Sequence, residues 1–306
     1  MAAARALLLR GRGVALAGAA VVGVVAAPLP EPQLPTRRRL SLSCHAGRVR
    51  VTLLGVHHAS GTSLDEVRDA VCRAISSGRF AALAVESDDE ALAVQRASSA
   101  ALAGFSPEVV RRDGVRTVQR ALFELPHVRA QLGARLERPE QIALSQELRE
   151  SIASGYLHGG EMGLAANLAE GARVRVVCID SPLVAKAERY RAAEEEDAPT
   201  LWRALVAHVG HVCELRLCAL ARGGALHLDD HLAALRRFKP ATYRAQVEER
   251  DAHMVAQLGA LLGSLGVAHG MAATCEACDE PAEVLVLCGA AHLPGLHALL
   301  SREGWC

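Results

Sequence analysis

Aromatic side chains are scarce. Phe, Trp and Tyr together make up 3% of the 306 residues, while 51% of the chain is hydrophobic. The core must therefore be built from Ala, Leu and Val on many helices. An excess of one charge is missing too: 34 Lys and Arg balance 34 Asp and Glu, so no basic excess points to nucleic acid as a partner. There is no Gly-rich phosphate loop and no Gly-x-Ser-x-Gly elbow, so neither a phosphate cradle nor that type of serine nucleophile is expected. Beyond the amino-terminal region no uncharged apolar run reaches the roughly 20 residues of a membrane span, and the body is expected to be soluble. A second Cys-x-x-Cys is lacking, so Cys275 and Cys278 alone do not complete a zinc site, which takes four ligands.

The nine cysteines are odd in number and irregular in spacing, a pattern of a reducing compartment more than of a disulfide framework. Cys72, Cys178 and Cys288 sit in apolar runs and read as small buried hydrophobes.

Residues 1–43 read as a targeting segment. Arg5, Arg10 and Arg12 surround or precede the apolar run Val14–Pro28, no acid occurs before Glu31, and Arg37, Arg38, Arg39, Ser41 and Ser43 follow. That composition fits an organelle transit peptide. A secretory signal with Val14–Ala27 as its apolar region and an amino-terminal membrane anchor are the alternatives. Residues 44–306 then form one α/β domain.

Within it, Val49–Gly55 becomes fully apolar, as an entering central strand does. Ser63-Leu64-Asp65-Glu66 reads as a capping box, with Val67, Val71, Ala74 and Ile75 at helical spacing behind it. Phe80–Val85 is a second buried strand, so the order is strand, helix, strand, which predicts a parallel sheet. The spacing predicts helices over much of 88–156, including Gln141–Leu157, and over Glu161–Ala169. Val174–Ile179 is a third strand. Helices Leu201–Leu220 and Ala241–Leu262 follow, then a surface insertion Gly266–Pro281, a strand Glu283–Leu287 and a helix Gly295–Ser301. The expected fold is α/β, a central, largely parallel sheet with many flanking helices.

Two apolar strands end in the same short pattern, Gly55-Val56-His57-His58 and Gly289-Ala290-Ala291-His292. Ligands of open α/β sheets bind at the carboxyl ends of strands. Those ends supply His58, Glu86, Asp180 and His292. Imidazole and carboxylate are what a divalent metal takes as ligands, and equally what acid–base catalysis uses. Each also has a plainer reading, as a turn histidine or a helix-capping carboxylate. Glu161 reads as a first-turn carboxylate favoured by the helix dipole. Glu249 and Asp251 read as parts of a solvated helix face, and Glu194–Asp197 as a solvated helix end.

Six segments, in order, resemble the TraB/PrgY/Tiki family. They are Leu54-Gly55-Val56-His57-His58-Ala59-Ser60, Val85-Glu86-Ser87-Asp88, Gly160-Glu161-Met162, Val176–Pro182 with Arg189 downstream, Glu249-Arg250-Asp251-Ala252-His253-Met254, and Val286–Gly295. The resemblance runs from about Arg50 to Ser301. It departs at Ser181, where the family commonly has arginine, and so puts a salt bridge at Asp180 in question. The resemblance implies an α/β fold akin to ChaN and erythromycin esterase. Tiki members are described as metal-dependent proteases with the Gly-x-x-His histidines and the glutamate in the site. Carried over, His58, His292 and Glu86 would hold Mn, Co or Zn, Glu86 and Glu161 would serve catalysis, and Glu161 would act as ligand or base. The substrate would be a peptide or another small molecule. The alternative is a non-enzymatic peptide-binding or regulatory module at an organelle membrane, peripherally associated. Eukaryotic relatives are associated with mitochondria or organelle membranes, in keeping with the amino-terminal composition.

Overall fold

A computed structural model describes residues 32–33, 39–44, 49–56, 61–102, 160–224, 226–265 and 281–305. His57 and His58, the expected helix Gln141–Leu157, the Cys275–Cys278 pair and residues 1–31 lie outside the described residues.

In chain order the elements are β1 (Pro32–Gln33), β2 (Arg39–Cys44), β3 (Val49–Val56), α1 (Gly61–Ser76), β4 (Phe80–Val85), α2 (Asp89–Leu102), α3 (Gly160–Gly171), β5 (Arg175–Cys178), α4 (Leu183–Asp197), α5 (Leu201–Ala221), β6 (Leu226–His227), α6 (Leu228–Phe238), α7 (Pro240–Tyr243), a π-helical turn (Arg244–Glu248), α8 (Glu249–Ser264), β7 (Ala282–Gly289), a 3₁₀ turn (Ala290–His292) and α9 (Leu293–Arg302). Helix α1 begins at Gly61, two residues ahead of the expected start at Ser63. The single long helix expected over Ala241–Leu262 is interrupted by the π-helical turn just before Glu249. Such turns recur at functional sites.

The described residues form two compact units, one of Thr36–Ala187 with Val247–Cys306 and the other of the chain up to Pro35 with Glu188–Gln246. The first is mixed α/β and holds a five-stranded sheet in the order β2-β3-β7-β4-β5. Strand β2 runs antiparallel to β3, and the other pairings are parallel. The last strand of the chain thus lies in the middle.

Both sheet faces are buried, as near-continuous apolar strands require. Alternate residues of β7 serve opposite faces. Val284, Val286 and Cys288 join Met254, Leu258 and Leu262 of α8 and Leu293, Leu296 and Leu300 of α9. Leu285 and Leu287 join Val67 and Val71 of α1 and Met162, Ala165 and Ala169 of α3. Small aliphatic residues do build the core, as the lack of rings requires. Cys288 is fully buried within it, whereas Cys72 is exposed on α1. Burial pushes the Cys288 thiol well above its ordinary range. Burial and a hydrogen bond with Asp89 push that of Cys178 up to about 12. Neither is a thiolate near neutral pH.

Parallel pairing aligns the carboxyl ends of four strands. Gly55 pairs with Cys288 and Val56 with Gly289, so the ends of β3 and β7 lie side by side. Val85 pairs with both Leu287 and Cys178. Gly55 is needed there for space: a Cβ would run into the Leu293 side chain and lie 3.0 Å from Ala290 Cα.

In the second unit, α5 and α6 pack through Leu215, Ala219 and Ala234. Asp197 accepts the backbone N–H groups of Ala241 and Thr242 at 2.8 and 2.7 Å. The acidic run is therefore not wholly solvated, because its last member caps α7. Among the described residues, α5 alone is long and apolar enough to cross a membrane by length and composition, with a mean hydropathy of 1.4 over its best window. Leu201, Trp202, Leu205, Val206, Leu217 and Leu220 are exposed on it.

The rings of His211 on α5 and His231 on α6 meet edge to face at 5.3 Å. Burial lowers both pKa values, and for His211 the neighbouring His231, Lys239 and His208 add to this, against a hydrogen bond with the Ala234 backbone. Below the ordinary value of 6.5 the unfolded chain binds these protons more readily than the folded one. Their contribution is full above that value and falls as the pH drops below it. The melting temperature is expected to fall from about pH 7.5 to about pH 5.5, and less steeply in a variant carrying His211→Gln and His231→Gln.

Candidate functional site

The aligned strand ends gather a buried polar cluster. Glu86 is the first residue after β4, and its backbone N–H donates to the Leu287 carbonyl at 2.8 Å, which extends the β4–β7 pairing by one step and aims the side chain across β7. The Glu86 carboxylate then accepts the backbone N–H of Gly289 through Oε2 and the Arg250 guanidinium through Oε1. His292 brings Nε2 to 3.4 Å from the same Oε1. The expected residues Glu86 and His292 are thus brought together. His58 is not described, though Val56, two residues before it, is paired with Gly289.

Asp180 follows β5, and its side chain is only 1% exposed. It accepts Arg250 Nε at 3.1 Å and Nη2 at 2.6 Å, a two-pronged contact. Lys186 Nζ lies 2.6 Å away, and the Ser181 N–H donates at 2.8 Å. Burial pushes the Asp180 pKa up, but the hydrogen bonds and charges of Arg250 and Lys186 outweigh it, and the net shift is down. With serine at 181, Asp180 takes its cations from Arg250 and Lys186. Asp88 behaves as a helix cap: Oδ1 accepts the Ala91 N–H at 2.8 Å.

His292 is held on its other side by Asp251. Nδ1 lies 2.6 Å from Asp251 Oδ1, and the two residues are 4% and 3% exposed. Burial raises the Asp251 pKa, and the His292 hydrogen bond opposes that rise. Asp251 thus departs from the expected solvated face. It sits on the same stripe of α8 as Met254, Leu258 and Leu261, all buried. Gly295 is the space into which it fits, since a Cβ there would overlap Asp251 Oδ2. Within Gly289-x-x-His292-x-x-Gly295, His292 sets its imidazole between two carboxylates and Gly295 gives one of them clearance, while position 289 supplies only its backbone N–H to Glu86, which any residue but proline could do.

Glu161 is buried in the first turn of α3. Arg250, Asp251 and Lys186 were not selected as site residues by sequence reasoning. The available signal for Asp251 was its place on an apolar stripe at spacings of three and four. No signal marked Lys186.

The chemistry open to this cluster is that of an imidazole oriented by one carboxylate and facing a second, beside a guanidinium that links two strand ends. Among the described residues no group of three or more His, Cys, Asp or Glu is arranged to hold a metal. No family model matches this chain, and no curated protein matches it either.

Proposed function

We propose that the chain is a metal-dependent hydrolase of the TraB/PrgY/Tiki type, acting on peptide bonds. The observation that carries this reading is the approach of His292 Nε2 to Glu86 Oε1 at 3.4 Å. Two ligand atoms bound about 2.0–2.2 Å from one tetrahedral ion lie roughly 3.3–3.6 Å apart, so this pair fits one edge of such a site. The carboxylate on the far nitrogen of His292 supports it as well, because metal-binding histidines typically donate their other N–H to a carboxylate or carbonyl. Arg250 shares Glu86 Oε1, and a carboxylate oxygen has a second lone pair.

In this reading His292 and Glu86 hold a divalent ion (Mn, Co or Zn) with His58 as the third ligand, and Glu161 serves as a further ligand or base. The ion, when bound, supplies Lewis acidity and lowers the pKa of water. Asp251 orients the imidazole, and Arg250 and the Gly289 N–H fix Glu86. The closer likeness to ChaN and erythromycin esterase, the organelle location and a role for residues 1–43 in targeting belong to the same proposal.

A second reading has its own observation. Arg250 ties Glu86 to Asp180, and Lys186 adds to Asp180. A cluster so neutralised also suits a non-enzymatic module in which it holds the fold or a peptide.

Protein purified without chelator separates the two. Bound divalent metal in the wild type, lost in His292→Ala and in Glu86→Gln, is the expected result, together with metal-restored cleavage of a peptide mixture. Metal-free wild-type protein that gains neither metal nor activity on addition of Mn, Co or Zn sinks the hydrolase reading.

A further inference from the structure

We infer that His211 of α5 and His231 of α6 together bind a divalent ion of the zinc, copper or nickel class between the two helices. Both residues belong to the second unit, and the inference does not rest on the hydrolase reading. Three observations meet here. The ring centres are 5.3 Å apart, with the ring planes at 79°. Two imidazoles on one tetrahedral ion, with nitrogen–metal bonds of about 2.0–2.1 Å, set their ring centres roughly 5.2 Å apart. The pair already has the spacing of two neighbouring ligands. Second, His211 Nδ1 is buried and has no hydrogen-bond partner among the described residues. Leaving a buried polar atom bare is costly, and a bound ion supplies the missing partner. Third, the hydrogen bond of His211 with the Ala234 backbone then falls to the other ring nitrogen. A histidine that binds metal through one nitrogen typically gives its other N–H to a carbonyl or carboxylate. Edge-to-face packing of two rings accounts for their contact, but not for the bare Nδ1.

Neighbouring residues hold the helices at this spacing. Leu215, Ala219 and Ala234 pack between them. Gly210, beside His211, leaves the space that the Phe238 ring takes, since a Cβ there would overlap it. Imidazole suits zinc, copper and nickel, whereas magnesium and calcium prefer oxygen. Burial favours the neutral form of both rings, which is the form that binds metal. Two ligands from the chain leave the rest of the shell to water, and the Lys239 charge also acts on His211. The site is therefore weak and exchangeable, filled when zinc is added and emptied by dialysis. When filled, it clasps α5 to α6.

Calorimetric titration of the dialysed full chain with zinc, in a His292→Ala background that removes the strand-end candidate, tests the site. Micromolar binding is expected there, with a melting temperature that rises as zinc is added. His211→Gln or His231→Gln in that background is expected to weaken binding at least about 10-fold, the low end of what losing an outer partner costs a metal histidine, and to abolish the zinc-dependent rise. His297→Gln on α9 is the control and leaves both unchanged. Binding that survives both glutamine substitutions overturns the inference, as does no binding at millimolar zinc. If His292→Ala does not fold, the same substitutions are read in the wild type, where each is expected to remove one zinc equivalent and an unchanged count overturns the inference. A wild type that binds no more zinc than His292→Ala keeps the inference and removes the hydrolase reading.

Discussion

Arg250→Met is expected to destabilise the sheet-bearing unit by about 3–5 kcal/mol, the usual cost of removing one partner from a buried ion pair. The guanidinium side chain is 17% exposed, and its partners Glu86 and Asp180 are 5% and 1% exposed. Methionine keeps much of the stem's bulk and removes the charge. Asp180 would retain Lys186, while Glu86 would lose the Arg250 guanidinium. Urea denaturation measures the loss, and Glu86→Gln in the Arg250→Met background is expected to recover part of it by removing a buried charge that no longer faces the guanidinium. A loss under about 1 kcal/mol, typical of a solvated pair, would show that water reaches the cluster.

The pH dependence follows from the same contacts. The folded-state pKa of Asp180 is depressed below its ordinary 3.8. Its contribution is therefore full above that value and is lost as the pH falls through the lower, folded value. Acid unfolding of the wild type draws on this contribution below the ordinary value, and Arg250→Met is expected to weaken that dependence.

Met254→Ala is expected to cost about 2–5 kcal/mol, the range for truncating a buried methionine. Met254 is fully buried and packs with Leu258, Val284 and Val286 against the sheet. It also stands three and four residues after Asp251 and Arg250, one helical turn away on the same side. The cavity would loosen the turn that delivers both polar groups. The midpoint in urea is expected to drop with little change in slope, since the surface exposed on unfolding is nearly the same. Leu220→Ala on α5, where the side chain is 75% exposed, serves as the control and is expected to change stability by less than about 0.5 kcal/mol.

What the sequence disclosed and what it concealed have separate causes. Near-continuous apolar runs located β3, β4 and β7, because a strand buried on both faces shows that pattern. The same runs placed Glu86 and His292 at strand ends. Periodicity assigns residues to faces but does not name partners. Glu249 and Asp251 read as parts of a solvated helix face although they point to different sides of the helix. Following the stripe Asp251, Met254, Leu258 and Leu261 instead would have put one carboxylate indoors. The π-helical turn before Glu249 left no trace in composition. Lys186 could not be found either, since its role depends on how the start of α4 lies against the end of β5. The resemblance put a salt bridge at Asp180 in question, yet the fold brings Arg250 and Lys186 to it.

The position of β7 has a consequence for biosynthesis. It is the last strand to be made, yet it lies between β3 and β4. Until it leaves the ribosome, those two strands cannot complete their pairing, and each keeps an unpaired apolar edge of the kind that invites aggregation. Neither the Gly289 donor nor His292 exists before that strand arrives, so closing the sheet and completing the polar cluster are one event, and a chain stopped before Ala282 forms neither.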